Sequence, residues 1–215
     1  MKLFKNIKKW LENQEHLFYL FLLILIVPNI ILCFTEPMPV VAKVCNVLLP
    51  FAFYYLLMTL SRNCGKMFWI LFLFIFFGAF QIVLLYLFGQ SIIAVDMFLN
   101  LVTTNSSEAM ELLDNLVPAL VSVIILYIPA LILAVISIIK KRKLSPEFIR
   151  RERKKAWIAL FIGFISLGAA YGLDKRYELK SDLYPANVCY NVALAFQRNA
   201  QTRTYHRTSE NFTFN

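Results

Sequence analysis

Residues 116–139 read LVPALVSVIILYIPALILAVISII, and residues 140–155 read KKRKLSPEFIRRERKK. The first stretch has no charged side chain, and at about 1.5 Å per residue it is long enough to cross a hydrocarbon layer of roughly 30 Å. The second carries nine Lys and Arg against two Glu. An apolar run that ends in a dense basic loop marks a membrane span whose loop stays on the cytoplasmic side.

Four more apolar runs lie outward from this pair, at about 17–34, 44–60, 67–88 and 157–173, and none contains Asp, Glu, Lys or Arg. Pro28, Pro50, Pro118 and Pro129 fall within or at the ends of runs, which membrane helices tolerate when neighbours satisfy the freed backbone groups. The whole 215-residue chain agrees. It is 60% hydrophobic and only 16% charged, with a mean hydropathy of +0.64, whereas soluble domains hold about 25% charged residues. The expected fold class is therefore an all-α membrane protein with five transmembrane helices.

Charge sorts the loops by side. The N-terminus, residues 61–66 and residues 140–156 together hold 15 of the 22 basic residues and four of the 13 acids, leaving seven basic and nine acidic residues opposite. The positive-inside rule then puts the N-terminus in the cytoplasm and the C-terminus outside. The same placement accounts for the net charge of +9 without a nucleic-acid partner. Lys2, Lys5, Lys8 and Lys9 resemble the start of a signal peptide, but no small-residue cleavage site follows and further spans do. Cys33, Cys45, Cys64 and Cys189 form no CxxC pair, so no zinc ribbon is indicated. A Cys33–Cys45 disulfide at the outer interface stands beside the alternative of two lipid-buried thiols.

Two outer stretches remain. Residues 89–115 contain four acids, no Lys or Arg and many apolar side chains, a composition suited to one or two amphipathic helices in the membrane interface. In residues 174–215, Val188, Val192, Ala195 and Phe196 recur at helical spacing, so 187–198 reads as a second interfacial helix. The polar residues beyond it read as a linker toward a domain that this chain does not contain. Tyr184, Pro185 and Tyr190 read as interface aromatics or as the edge of a headgroup pocket. His16 and His206 have no metal-ligand company.

Asp96, Asn100, Thr104 and Glu108 recur every four residues, so on an unbroken helix they share one polar face. A carboxylate beside amide and hydroxyl groups suits an ammonium headgroup. The competing reading is that Asn105 and Glu108 form a capping box that opens a second short helix.

The stretch DMFLNLVTTNSSEA, residues 96–109, lies between the third and fourth spans. It resembles the membrane domain of the bacterial phosphoethanolamine transferases that modify lipid A. The likeness extends over essentially the whole chain in topology, but only this stretch is motif-like. It implies that Asn100, Thr104 and Glu108, with Asp96 beside them, line the pocket for the donor phosphatidylethanolamine. It further implies an inner-membrane, multi-pass protein that serves lipopolysaccharide modification and polymyxin resistance, with lipid A as acceptor. In that family a zinc-activated Thr sits in a periplasmic catalytic domain, so zinc and catalysis are expected there and not in residues 1–215. The implied division is a membrane domain over 1–173 and a periplasmic helix and linker over 174–215. A small five-span transport subunit, or a scaffold that recruits partners through its basic loop, remains the alternative, although spans without charges disfavour an ion or proton path.

Overall fold

The computed structural model describes residues 10–88 and 106–210, and within them every regular element is a helix. These are α1 (Gln14–Thr35), α2 (Val40–Met58), α3 (Cys64–Ile70), α4 (Phe72–Phe88), α5 (Ser106–Ile139), α6 (Pro146–Leu173), α7 (Leu179–Asp182) and α8 (Ala186–Glu210). Four helices are long and apolar enough to cross a membrane, and the count becomes five if the bent pair α3–α4 is one crossing.

Local chemistry sets several of these boundaries. Asn13 and Asn63 cap α1 and α3 by accepting from the backbone N–H of Glu15 and Lys66 at 2.9 and 2.8 Å, which satisfies donors left open at a helix start. Ser145 does the same for α6 through Phe148 N–H at 3.1 Å, with Pro146 at the first helical position, where a missing N–H costs nothing. At the end of α5, Lys141 takes a φ of 50°. Its N–H reaches Ile138 O at 2.9 Å and that of Arg142 reaches Ser137 O at 3.1 Å. This is a Schellman closure with Lys in the left-handed position usually held by Gly.

The core is built from α1, α2, α3, α4, α5 and the start of α6 around Phe18, Phe21, Tyr54, Phe68 and Phe148, all fully buried. Phe21 stacks on Phe68 with centroids 4.4 Å apart, and Phe18 meets Phe148 edge-on at 5.4 Å. A second seam joins α2 to α6 through Ala42, Cys45 and Leu49 against Ala170. Small side chains at such a seam let helices approach closely where lipid supplies no hydrophobic drive for association. Gly65 on α3 plays this role against α5: a Cβ there would overlap the carbonyl oxygen of Ala134.

The structure departs from the sequence expectations in four places. The third run is not one straight helix; it bends by 63° between Cys64–Ile70 and Phe72–Val83, with neither Pro nor Gly at the break to explain it. The basic loop expected over 140–156 is only a short turn, because Ser145-Pro146-Glu147 starts α6 and residues 146–156 are its first turns. The helix carrying the fourth run begins at Ser106, so 106–115 belong to it and form no separate interfacial helix. The expected linker after Arg198 stays helical to Glu210, since QRNAQTRTYHR contains no Gly or Pro to stop it. Of the two alternatives for Cys33 and Cys45, the structure has the free thiols, with Cys45 fully buried.

Candidate functional site

The segment that follows α6 folds back onto the bundle instead of leaving it, and buried amides on α1 and α2 hold it there. Asn29 Nδ2 donates to Tyr184 O at 2.7 Å and to Asn46 O at 2.9 Å. Asn46 Nδ2 donates to Asp182 O at 2.7 Å, and Asn46 Oδ1 accepts from Tyr177 Oη at 2.8 Å. Tyr184 Oη reaches across to Phe74 O on α4 at 3.0 Å. Amides buried inside apolar helices are costly unless paired, and here each amide donates to one backbone carbonyl of the returning segment.

Tyr184 is therefore a core residue, 1% exposed, and not a belt aromatic, whereas Tyr190 lies at the surface with Lys180 over its ring at 5.6 Å. Tyr184 and Val188 pack with Leu32 and Leu85. Gly78 on α4 makes room for this arrangement: a Cβ there would lie 3.0 Å from Tyr127 Oη and 3.2 Å from Tyr184 Oη.

Docking of the segment leaves cavities along both of its edges. An apolar groove of about 320 Å³ is lined by Leu49, Phe53, Leu160, Phe164, Leu183 and Pro185 among others. A second apolar recess of about 200 Å³ runs between α4 and α8, past Phe77, Val188 and Val192. Nearer the end of the bundle, a polar pocket of about 500 Å³ is walled by Pro37, Met38, Pro39, Ala42, Asp174, Arg176, Tyr177 and Asp182. The groove is bordered by Leu179 and Leu183 and the pocket by Tyr177 and Asp182, so both lie against the returning segment without a lining residue in common. Asp174 Oδ1 accepts from Arg176 N–H at 3.0 Å and Asp182 Oδ2 from Glu178 N–H at 2.7 Å. An Arg and two carboxylates thus face one space beside an apolar channel, an arrangement that suits an amphiphile with both signs of charge.

The opposite, basic end of the bundle is closed by short polar contacts. Arg62 and Leu144 exchange hydrogen bonds at 2.7 and 3.0 Å, Asn63 Nδ2 donates to Ser137 O and Arg142 O, and Arg153 Nη2 donates to Thr59 O at 2.7 Å. Glu152 is turned inward and fully buried. It accepts from Tyr55 Oη, and from Arg151 Nε and Lys155 Nζ at 2.9 Å each. Burial alone would push its pKa up, but hydrogen bonds from Tyr55, Arg151 and Lys155 outweigh that and hold it down at about 2.

Of the residues singled out in the sequence, Asp96, Asn100 and Thr104 lie outside the described residues, and Glu108 is in the first turn of α5. Among the described residues His16 meets Trp10, ring on ring at 4.8 Å. The described residues offer no grouped donor set for zinc. Sequence reasoning passed over Asn29, Asn46 and Tyr177. The signal was available, since Asn29 and Asn46 are amides inside otherwise apolar runs. No family model matches the chain, and neither does any curated protein or solved structure.

Proposed function

We propose that this chain is a lipid-binding membrane domain, and that its lipid is the phosphatidylethanolamine donor of a lipid A phosphoethanolamine transferase. The observation that carries the lipid-binding part is that the apolar groove and a pocket holding Arg176, Asp174 and Asp182 both border the returning segment. Acyl chains fit the groove. A zwitterionic headgroup fits the pocket, with phosphate toward the guanidinium and ammonium toward a carboxylate. The choice of ethanolamine and of lipid A rests on the resemblance of residues 96–109, which adds Asn100, Thr104 and Glu108, with Asp96, to headgroup recognition. On this reading the protein sits in a bacterial inner membrane with 174–215 on the periplasmic side, presents the donor to a zinc-dependent catalytic domain, and supplies no catalytic residue itself.

Native mass spectrometry of the purified protein with equimolar phosphatidylethanolamine and phosphatidylcholine tests this. Retention of the ethanolamine lipid should exceed that of the choline lipid by about tenfold, the worth of one charge-assisted hydrogen bond that a quaternary amine cannot donate. Arg176→Ala should weaken both lipids, and Glu108→Ala should erase the difference between them. Equal retention by the unsubstituted protein would remove the donor-lipid reading, whereas selectivity untouched by Glu108→Ala would remove only the sites carried over by resemblance.

A further inference from the structure

At the end of the bundle remote from the donor pocket, α6 changes character along a single exposed stripe. Arg150, Lys154, Trp157, Phe161 and Phe164 follow one another at three- and four-residue steps, so at 100° per residue they stay on one side of the helix. All five are exposed, with Trp157 at 58% and Phe161 at 68%. The stripe is cationic up to Lys154 and aromatic from Trp157 onward, without a break in the helix. Such a switch fixes where the headgroup layer sits, because tryptophan favours the interface and the phenylalanines require hydrocarbon.

Among the described residues, no ion pair engages the two cations on this stripe. Glu152, the acid closest to them in sequence, is buried and takes Arg151 and Lys155. Glu147 lies in the first turn of α6, where it offsets the helix dipole, and neither Arg150 nor Lys154 is ion-paired among the described residues. Arg153 is fixed on Thr59 O. Lys140, Lys141 and Lys143 are exposed in the preceding turn and add to the same positive field.

We propose that this stripe is a docking site for an anionic glycerophospholipid of the surrounding leaflet, with its phosphate on Arg150 and Lys154 and its chains along Trp157 and Phe161; Phe164, the next residue of the stripe, already borders the apolar groove. The proposal goes beyond the donor-lipid reading and is independent of it: its cations lie at the other end of α6 from Asp174 and Arg176, and it selects net negative charge, which phosphatidylethanolamine lacks. It rests on α6 crossing a bilayer.

Trp157 is its own reporter. The full chain carrying Trp10→Phe and Trp69→Phe is placed in phosphatidylcholine vesicles that contain increasing brominated phosphatidylglycerol or brominated phosphatidylcholine. Each cation near an anionic surface favours it by about fivefold at low salt. Half-quenching of Trp157 is therefore expected at a mole fraction of the glycerol lipid about ten- to thirtyfold below that of the choline lipid. The preference should shrink in high salt and disappear in Arg150→Gln/Lys154→Gln, while quenching by brominated phosphatidylcholine is unchanged. Equal half-quenching by the two lipids, a preference indifferent to salt, or one that survives the double substitution would overturn the proposal. The salt titration uses no charge variant, so it decides even if the double variant does not fold.

Discussion

The two ends of the bundle solve the same problem, closing helices joined by polar loops, in opposite ways. At the basic end the turns are short and their backbone groups bond one another or nearby side chains, as in the Arg62–Leu144 exchange and the Schellman closure at Lys141. At the other end a long segment returns to the bundle and is gripped by Asn29 and Asn46 from inside the helices. The groove and the charged pocket border the returning segment. An inward-reaching amide holds a segment at points and not along its length, which leaves room for cavities beside it.

That contrast breaks most severely at Gly65. Val at this position would drive side-chain atoms into Ala134 O and Ser137 Cβ on α5. A loss of about 3 kcal/mol or more is expected from overpacking against backbone, read as a drop in thermal midpoint in detergent. An unchanged midpoint would mean that α3 and α5 do not meet as closely as described.

Acid probes the same end. The carboxyl of Glu152 is held at about 2, below the ordinary value of 4.5, so its contribution is complete above pH 4.5 and is lost as pH falls toward 2. The loss is at most about 3 kcal/mol. Glu152→Gln should remove this acid-linked component of the melting curve and leave the rest of its pH dependence in place; identical acid profiles for the two proteins would show that the carboxylate is not paired as described.

The opposite end should respond locally. Asn29→Leu leaves Tyr184 O and Asn46 O without these donors, a cost of about 2 kcal/mol. Its effect should appear as faster tryptic cleavage at Arg176 and Lys180, with cleavage at Arg150 and Lys154 unaltered. Equal acceleration at both ends would mean that the returning segment is not an independently held unit.

Much of this architecture can be read from pattern. The apolar runs become helices, and Ser145-Pro146-Glu147 spells a helix start that the surrounding charge obscured. A run of Lys and Arg suggests a solvated loop, yet nothing in those side chains opposes helix, and the carboxylate that pins the helix finds Tyr55 only in three dimensions. The bend near Leu71 has no local cause to read. The returning segment was illegible for another reason. Val188 and Val192 do mark an apolar face, but whether that face meets lipid or Leu32 and Leu85 depends on amides far away in sequence. Asp96, Asn100 and Thr104 rest on the sequence alone.

The unbroken course of α6 has a consequence for how this protein can change length. Ile149, Glu152, Ala156, Gly163 and Ala170 are buried on one side of its 28 residues, at steps of three, four and seven. A single inserted or deleted residue between Ala156 and Gly163 would turn one half of the helix by about 100° against the other. Either the carboxylate would leave Tyr55, or the small-residue seam would leave α2. Seven residues would restore the phase but add about 10 Å of rise, a third of a bilayer's hydrocarbon thickness of roughly 30 Å. Angular phase and membrane thickness together leave α6 a single workable length, so indels that the loops of other proteins absorb freely should be excluded here.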